Sequence, residues 1–293
     1  MTLVQYLLDA LNVGGLYALV ALGIGLIFGI MRLINFSHGE LVTAGGYAMM
    51  TLATLPPPLV IGIALAAVIV LAVGIEKVAF RPLRGQDPST LLVASFTVSY
   101  FLQNAFLLMF GPRPLPFAFL PALSTILEVA GLRIPLLQIV SLLLVLTALV
   151  TLVWVLKKTS IGVQLRATAE DVVAAQLGGI SVHKVTSIAF AMSAALAFVV
   201  SLIYSEQIGQ LSPAMGVRPL IIGFVATILG GLGSLGGAAL GGFVVGFISV
   251  LLEIALPPST RPFREAFLFG LVFVVLVVRP EGLVRTKALQ ERV

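Results

Sequence analysis

Long apolar runs dominate the chain and short polar gaps part them. The runs lie near 11–30, 39–55, 59–78, 91–110, 136–156, 186–204, 219–234, 238–256 and 263–278. A transmembrane helix uses about 20 residues and a barrel strand only about 10. The runs are too long and too uniformly apolar for lipid-facing strands, so the pattern predicts helices. Several runs are short or broken by glycine. The expectation is an all-α, polytopic transmembrane helix bundle of eight or nine spans; whether 31–55 or 219–256 is re-entrant stays open. Residues 1–293 would form a single transmembrane domain. Gln5, Asp9 and Asn12, spaced four and three apart, mark one polar helix face. They predict a short interfacial helix over 2–12 that feeds the first span. With no basic n-region before the first apolar run, no cleaved signal peptide is expected.

Composition agrees with this pattern. The sequence is 59% hydrophobic and 10% charged, with a mean hydropathy of +1.15, where a soluble domain carries about 25% charge. The net charge of +5 does not suggest nucleic acid, because the basic residues sit in the gaps, as membrane topology requires. Arg32, Lys77, Arg81, Arg84, Lys157, Lys158, Arg166, Lys184, Arg279, Arg285, Lys287 and Arg292 fall in one alternating set of gaps. Arg113, Arg133, Arg218, Arg261 and Arg264 fall in the other. The richer set is expected inside, which puts the C-terminus in the cytoplasm. Two gaps are long: a proline-rich outer one, 111–135, and an inner one, 157–185. No internal repeat is apparent by eye, and a weak inverted one stays open.

The chemistry-bearing residues are few. There are no cysteines, which excludes disulfides and thiol chemistry. Phosphate-loop, serine-hydrolase, zincin and redox motifs are absent, so an enzyme is not expected, nor a metal site. In the stretch MRLINFSHGE, Ser37 and Glu40 fit a capping box that would start a helix at the second run. Arg32 reads as an anchor on the inner side. Asn35 and His38 sit where a half-helix would begin if the segment dips into the bundle. Ser95, Ser99 and Gln103 share one helix face, with Asn104 beside it. Such groups either line a polar path or hydrogen-bond neighbouring helices. Glu253 reads as an interface residue at a span end. The spacing in the inner gap predicts a helix over Gln164–Gln176 that Gly178 and Gly179 stop. Arg166, Ala169, Glu170 and Asp171 lie on it. It is either a solvated connection or a helix that docks on a soluble partner. Gly231 to Gly236 matches a dinucleotide pattern only formally, since no strand–helix unit surrounds it. Gly233, Gly237 and Gly241 instead suit close helix packing, with Gly242 and Gly246 behind them, or a hinge between half-length helices.

Three stretches resemble the permeases of branched-chain amino-acid ABC transporters. They are GGLYALVALGIGLIFGIMRLINFSHGELVTAGGYAM, TVSYFLQNAFLLMFGP, and LRATAEDVVAAQLGGISVHKVTSIAFAMSAALAFVVSLIY followed by ATILGGLGSLGGAALGGFVVG. They occur in order over nearly the whole chain, and the Ile-Asn-Phe wording is similar to one member of the usual permease pair. The resemblance implies a bacterial inner-membrane protein. Its partners would be a second, related permease, two cytoplasmic ATPases and a periplasmic binding protein. ATP would be bound by the ATPases and no cofactor by this chain. The helix from Arg166 to Gly178 would couple to an ATPase, with Ala169-Glu170-Asp171 where relatives carry Glu-Ala-Ala. Import would proceed by alternating access past Asn35, His38, Ser95, Ser99, Gln103 and Asn104. The competing reading is a secondary transporter or channel for a small polar solute, such as urea or an amide, that works without ATPases.

Overall fold

The computed structural model describes residues 2–129 and 132–284. The expected basic tail residues Arg285, Lys287 and Arg292 lie outside these. Eleven α-helices account for most of the described chain: α1 (Thr2–Met31), α2 (His38–Thr51), α3 (Pro57–Ile75), α4 (Pro88–Phe110), α5 (Leu136–Lys158), α6 (Ser160–Glu170), α7 (Val172–Leu177), α8 (Val182–Ile208), α9 (Val217–Gly230), α10 (Leu235–Ala255) and α11 (Arg264–Val278). A π-helical turn, Glu76–Phe80, continues α3. Six helices (α1, α3 with its π turn, α4, α5, α8 and α10) are long and apolar enough to cross a membrane. The apolar α2, α9 and α11 have only 14, 14 and 15 residues, or about 21 Å of helix against a hydrocarbon core of about 30 Å.

The first expectation to fail is the separate N-terminal helix. Gln5, Asp9 and Asn12 belong to the unbroken 30-residue α1. Nothing between 2 and 31 breaks it: Gly14 and Gly15 serve close packing, Gly14 against Phe243 and Gly15 against Val145. The outer gap is folded, as expected. Strand β1 (Leu115–Pro116) pairs with β4 (Gln210–Leu211), and β2 (Ile126–Val129) pairs with β3 (Leu132–Pro135), both antiparallel. Glu206 fixes the connection by accepting from the Phe119 and Leu120 amides, each at 3.0 Å.

Close packing places α1 and α8 at the centre, antiparallel. Asn12 meets Gln207 near one end, and Gly23 meets Ser193 further along. Around them the chain repeats itself upside down. The short α2 lies on α8 and the short α9 on α1; α3 lies on α8 and α10 on α1; α4 and α11 each pack on the short helix of their own unit. Units α1–α4 and α8–α11 therefore form an inverted pair, which the sequence hides. Glycine makes the contacts close. A Cβ on Gly242 would fall 2.3 Å from Ala18, and one on Gly246 would fall 2.2 Å from Gly14. Gly45 meets Ser201 and Gly223 meets Val20 in the same way. These are the small-residue interfaces that let helices associate where lipid supplies no hydrophobic drive.

The glycine-rich stretch divides its labour. Gly237 packs on Gly230, and Gly241 on Ala226, so both serve the α9–α10 contact. Gly233 does not pack. A Cβ there would meet open space, and its φ of +89° makes it a turn residue between the two helices. Ser234 then caps α10 by accepting from the Gly237 amide at 2.9 Å.

Candidate functional site

The polar island at 31–40 ends α1 and begins α2 inside the bundle. Arg32 takes a left-handed φ of +52°, which stops α1. The chain then doubles back. His38, the first residue of α2, lies against Gly23, about eight residues or about 12 Å before the end of α1. The second unit does the same. After α8 the chain re-enters, and Gly216 at the head of α9 meets Gly39 and Thr43 of α2. The two short helices thus start within the bundle and cross antiparallel by their first turns. The Gly216 amide donates to Thr43 Oγ1 at 3.1 Å. Half-helices with buried N-terminal ends form the binding regions of many transporters.

The capping box does not form. Ser37 makes no side-chain cap to α2. Its hydroxyl instead donates to Asn35 Oδ1 at 2.6 Å, and its amide donates to the same oxygen at 3.1 Å. Asn35 occupies both of Ser37's groups, so Glu40 is free to turn away. The Glu40 carboxylate accepts from Ser99 Oγ at 3.0 Å and from Gln103 Nε2 at 2.8 Å, both on α4. Ser95 donates to the Ile34 carbonyl at 3.1 Å. The structure therefore brings Ser95, Ser99 and Gln103 together with residue 34 and Glu40. It leaves Asn104 out: that amide donates to the Tyr100 carbonyl of its own helix at 2.7 Å.

His38 is fully buried. Ser193 donates to the Gly23 carbonyl at 2.9 Å, and its oxygen lies 3.0 Å from His38 Nδ1. His38 ties α2 to α1 and α8 at the depth where α2 begins.

The inner gap is helical but broken. The expected helix over Gln164–Gln176 is interrupted at Asp171, which separates α6 from α7 and caps α7 by accepting from the Val173 and Ala174 amides at 2.7 and 2.9 Å. Asp171 favours this local competition with the helix over continuing it. The stop at Gly178–Gly179 forms as expected, as a Schellman motif. The Gly179 amide donates to Gln176 and the Ile180 amide to Ala175, each at 2.9 Å, and Gly179 has φ +80°. Arg166 donates to the Leu156 carbonyl in the last turns of α5. Arg166, Ala169 and Glu170 line a cavity of about 380 Å³ shared with Gly25 and Gly29 of α1 and with Gly233.

Two charged clusters escaped the sequence reading. Glu76, fully buried at the end of α3, accepts from Arg81 at 3.0 and 3.2 Å, from Arg84 at 3.2 Å and from Ser187 at 2.8 Å. Burial pulls the Arg84 guanidinium below its usual range, while Glu76 pulls it back up. The spacing of Glu76 to Arg81 and Arg84 was a readable signal. Arg218, in the first turn of α9, pairs with Glu265, and Glu253 pairs with Arg264. Glu253, read as an interface residue at a span end, is one half of an ion pair.

Residues 6–277 match the family described as branched-chain amino acid transport system, permease component. The chain is 33% identical to the high-affinity branched-chain amino acid transport system permease protein BraD of Pseudomonas aeruginosa, over 95% of this chain and 94% of that protein. It is 32% identical to LivH of Escherichia coli, also described as a high-affinity permease protein for these amino acids, with the same coverage. A probable branched-chain amino acid transport permease of Methanocaldococcus jannaschii is 28% identical over 92% of this chain and 86% of its own length. With an end-to-end match and a helical bundle built round two half-helices, the chain belongs to the family of permease components of branched-chain amino acid transport systems.

Proposed function

We propose that this chain is the membrane-spanning permease subunit of an ATP-driven importer for branched-chain or closely related amino acids, seated in the bacterial inner membrane. The observation that carries the reading is the match along almost the whole chain to transport permeases of that substrate class. The remaining parts are a second related permease, two ATPases that bind the ATP, and a periplasmic binding protein that delivers the solute.

Charge supports an orientation. Arg32, Lys77, Arg81, Arg84, Lys157, Lys158, Arg166, Lys184 and Arg279 gather where α1, α3, α5 and α11 end and α8 and α10 begin, and this end faces the cytoplasm by the positive-inside rule. α6 and α7 lie on that end and form the coupling element. Arg166 bonds α6 to α5, and α6 packs on α1 and α8, so a push on α6 is felt by both central helices. Glu170 is the first contact for the ATPase. Asp171 shapes the element as a cap, and the Gly178–Gly179 turn closes it. Alternating access would then rearrange the bundle around the crossing half-helices, past Asn35, Ser95, Ser99 and Gln103, with His38 holding α2 against α1 and α8.

The test is purification of the complex followed by leucine uptake into liposomes. Uptake that needs lumenal ATP and the ATPase subunits supports the proposal. Uptake by this chain alone, driven by an ion gradient, would replace it with the secondary-transporter or channel reading. Glu170→Lys with Asp171→Lys should abolish ATPase co-purification while membrane insertion persists. Survival of both co-purification and uptake would remove the coupling role from this element.

A further inference from the structure

Two carboxylates are wholly buried among the described residues, Glu40 and Glu76. Glu76 is surrounded by two arginines. Glu40 has only neutral partners, Ser99 and Gln103, both on the same oxygen, and its Oε2 has no hydrogen-bond partner. A carboxylate without a counter-ion is costly to bury. A second unpartnered group lies on the same face of α2, since the Tyr47 hydroxyl comes seven residues, about two turns, after Glu40.

Both groups face α4. The Tyr47 ring stacks on Phe110 with centroids 4.0 Å apart and on Phe106 at 5.6 Å. Phe36, just before α2, stacks on Phe96 of α4 at 3.9 Å. The seam between α2 and α4 therefore carries polar groups in sequence along the bundle: Ser95, Ser99, Glu40, Gln103 and Tyr47. Aromatic rings flank both ends. α4 is exposed along most of its length and packs chiefly on α2 and the π turn.

We propose that the α2–α4 seam is the track for the charged head of the solute, and that Glu40 is the step that binds its ammonium group. The proposal rests on the import reading above. An α-amino acid brings the missing cation, with three donors for Glu40 Oε2 and the nearby hydroxyls. Its apolar side chain suits the aromatic flanks, and a cation over such rings gains further attraction. A metal ion is a poorer occupant, because no group of three ligating residues gathers among the described residues. His38 is not part of the track, since its ring is held between Gly23 and Ser193.

The experiment compares Glu40→Gln with the wild type in the complete reconstituted transporter, with radiolabelled leucine as the probe. Glutamine keeps the size and the acceptor for Ser99 and Gln103 but cannot carry the charge. The expected result is a fall in uptake of at least about tenfold, the scale of one lost charge-assisted hydrogen bond. Complex assembly and melting temperature stay near wild type. Glu40→Asp, which keeps the charge, should restore part of the uptake. Wild-type uptake by Glu40→Gln overturns the proposal. So does loss of assembly or of stability together with uptake, because Glu40 would then serve only to hold α2 to α4. Failure of the import reading is seen separately, as absence of ATP-dependent uptake by the wild type.

Discussion

Replacing Gly216 by alanine probes the crossing of the two half-helices directly. Gly216 has φ −76°, a value any residue adopts, so a cost at this position is steric rather than conformational. A Cβ there would lie 1.8 Å from the Gly39 carbonyl oxygen and 2.8 Å from Thr43 Oγ1. Close carbon–oxygen contacts settle at about 3.3 Å or more, so α2 and α9 must part by more than about 1 Å. Neither neighbour yields cheaply: one is the backbone of α2, and the other accepts the Gly216 amide. Overpacking costs about 1–3 kcal/mol, and losing the buried amide's acceptor adds about 1–3 kcal/mol.

The expected destabilisation is thus about 2–6 kcal/mol, read as a lowered melting temperature of the detergent-solubilised protein by fluorescence-detected size exclusion. Gly270→Ala in α11 is the control. Nothing lies within 4 Å of a Cβ at 270, and alanine in a helix gains about 0.5–1 kcal/mol over glycine. If Gly216→Ala melts together with Gly270→Ala, the half-helices do not cross at this contact.

Further substitutions test other joints. Gly23→Ala would place a Cβ 2.4 Å from the His38 ring and should cost about 1–3 kcal/mol; adding His38→Ala should recover about 1 kcal/mol or more of it in a double-mutant cycle of melting temperatures. Gly179→Ala forces an L-residue to φ +80° and should cost about 1–2 kcal/mol, seen as faster hydrogen exchange over 172–180. Gly178→Ala, at φ −74° with its nearest new neighbour 3.4 Å away, should leave that exchange unchanged. Glu76→Gln strips two arginines of their buried counter-charge and should cost about 3–5 kcal/mol; a melting temperature equal to wild type would show that Arg81 and Arg84 do not depend on it.

What the sequence disclosed follows from the range of each signal. Apolar runs report burial over 20 residues at a time, so the helical bundle was legible. So was the helix stop at Gly178–Gly179, because a left-handed glycine acts locally. Ser37 and Glu40 were misread because a capping box is also a local pattern, while the partners that claimed them are Asn35, two residues back, and α4, about 60 residues on. A separation of 47 residues likewise hid the pairing of Arg218 with Glu265. Asp171 was missed as a helix break because alanines on both sides carry strong helix propensity, and the competing bonds are those of its own side chain. The inverted repeat was invisible because packing sets it through small residues whose positions, not identities, correspond.

That repeat also explains where the charges sit. In each unit the third helix ends in an acid that pairs with an arginine leading into or opening the fourth: Glu76 with Arg81 and Arg84, and Glu253 with Arg264. Because the units are inverted, the two clamps lie at opposite ends of the bundle. They differ in one respect. The Glu76 carboxylate is inaccessible, with Ser187 of α8 closing it from the side, whereas the Glu253 side chain is 58% exposed. An exposed pair contributes about 0–1 kcal/mol, while breaking a buried one costs several times that. The two fourth helices are therefore held unequally. The turn that leads into α4 is held by a buried anchor, and α4 leans on α2 through the polar seam, while α11 is held near its start by pairs that water can replace.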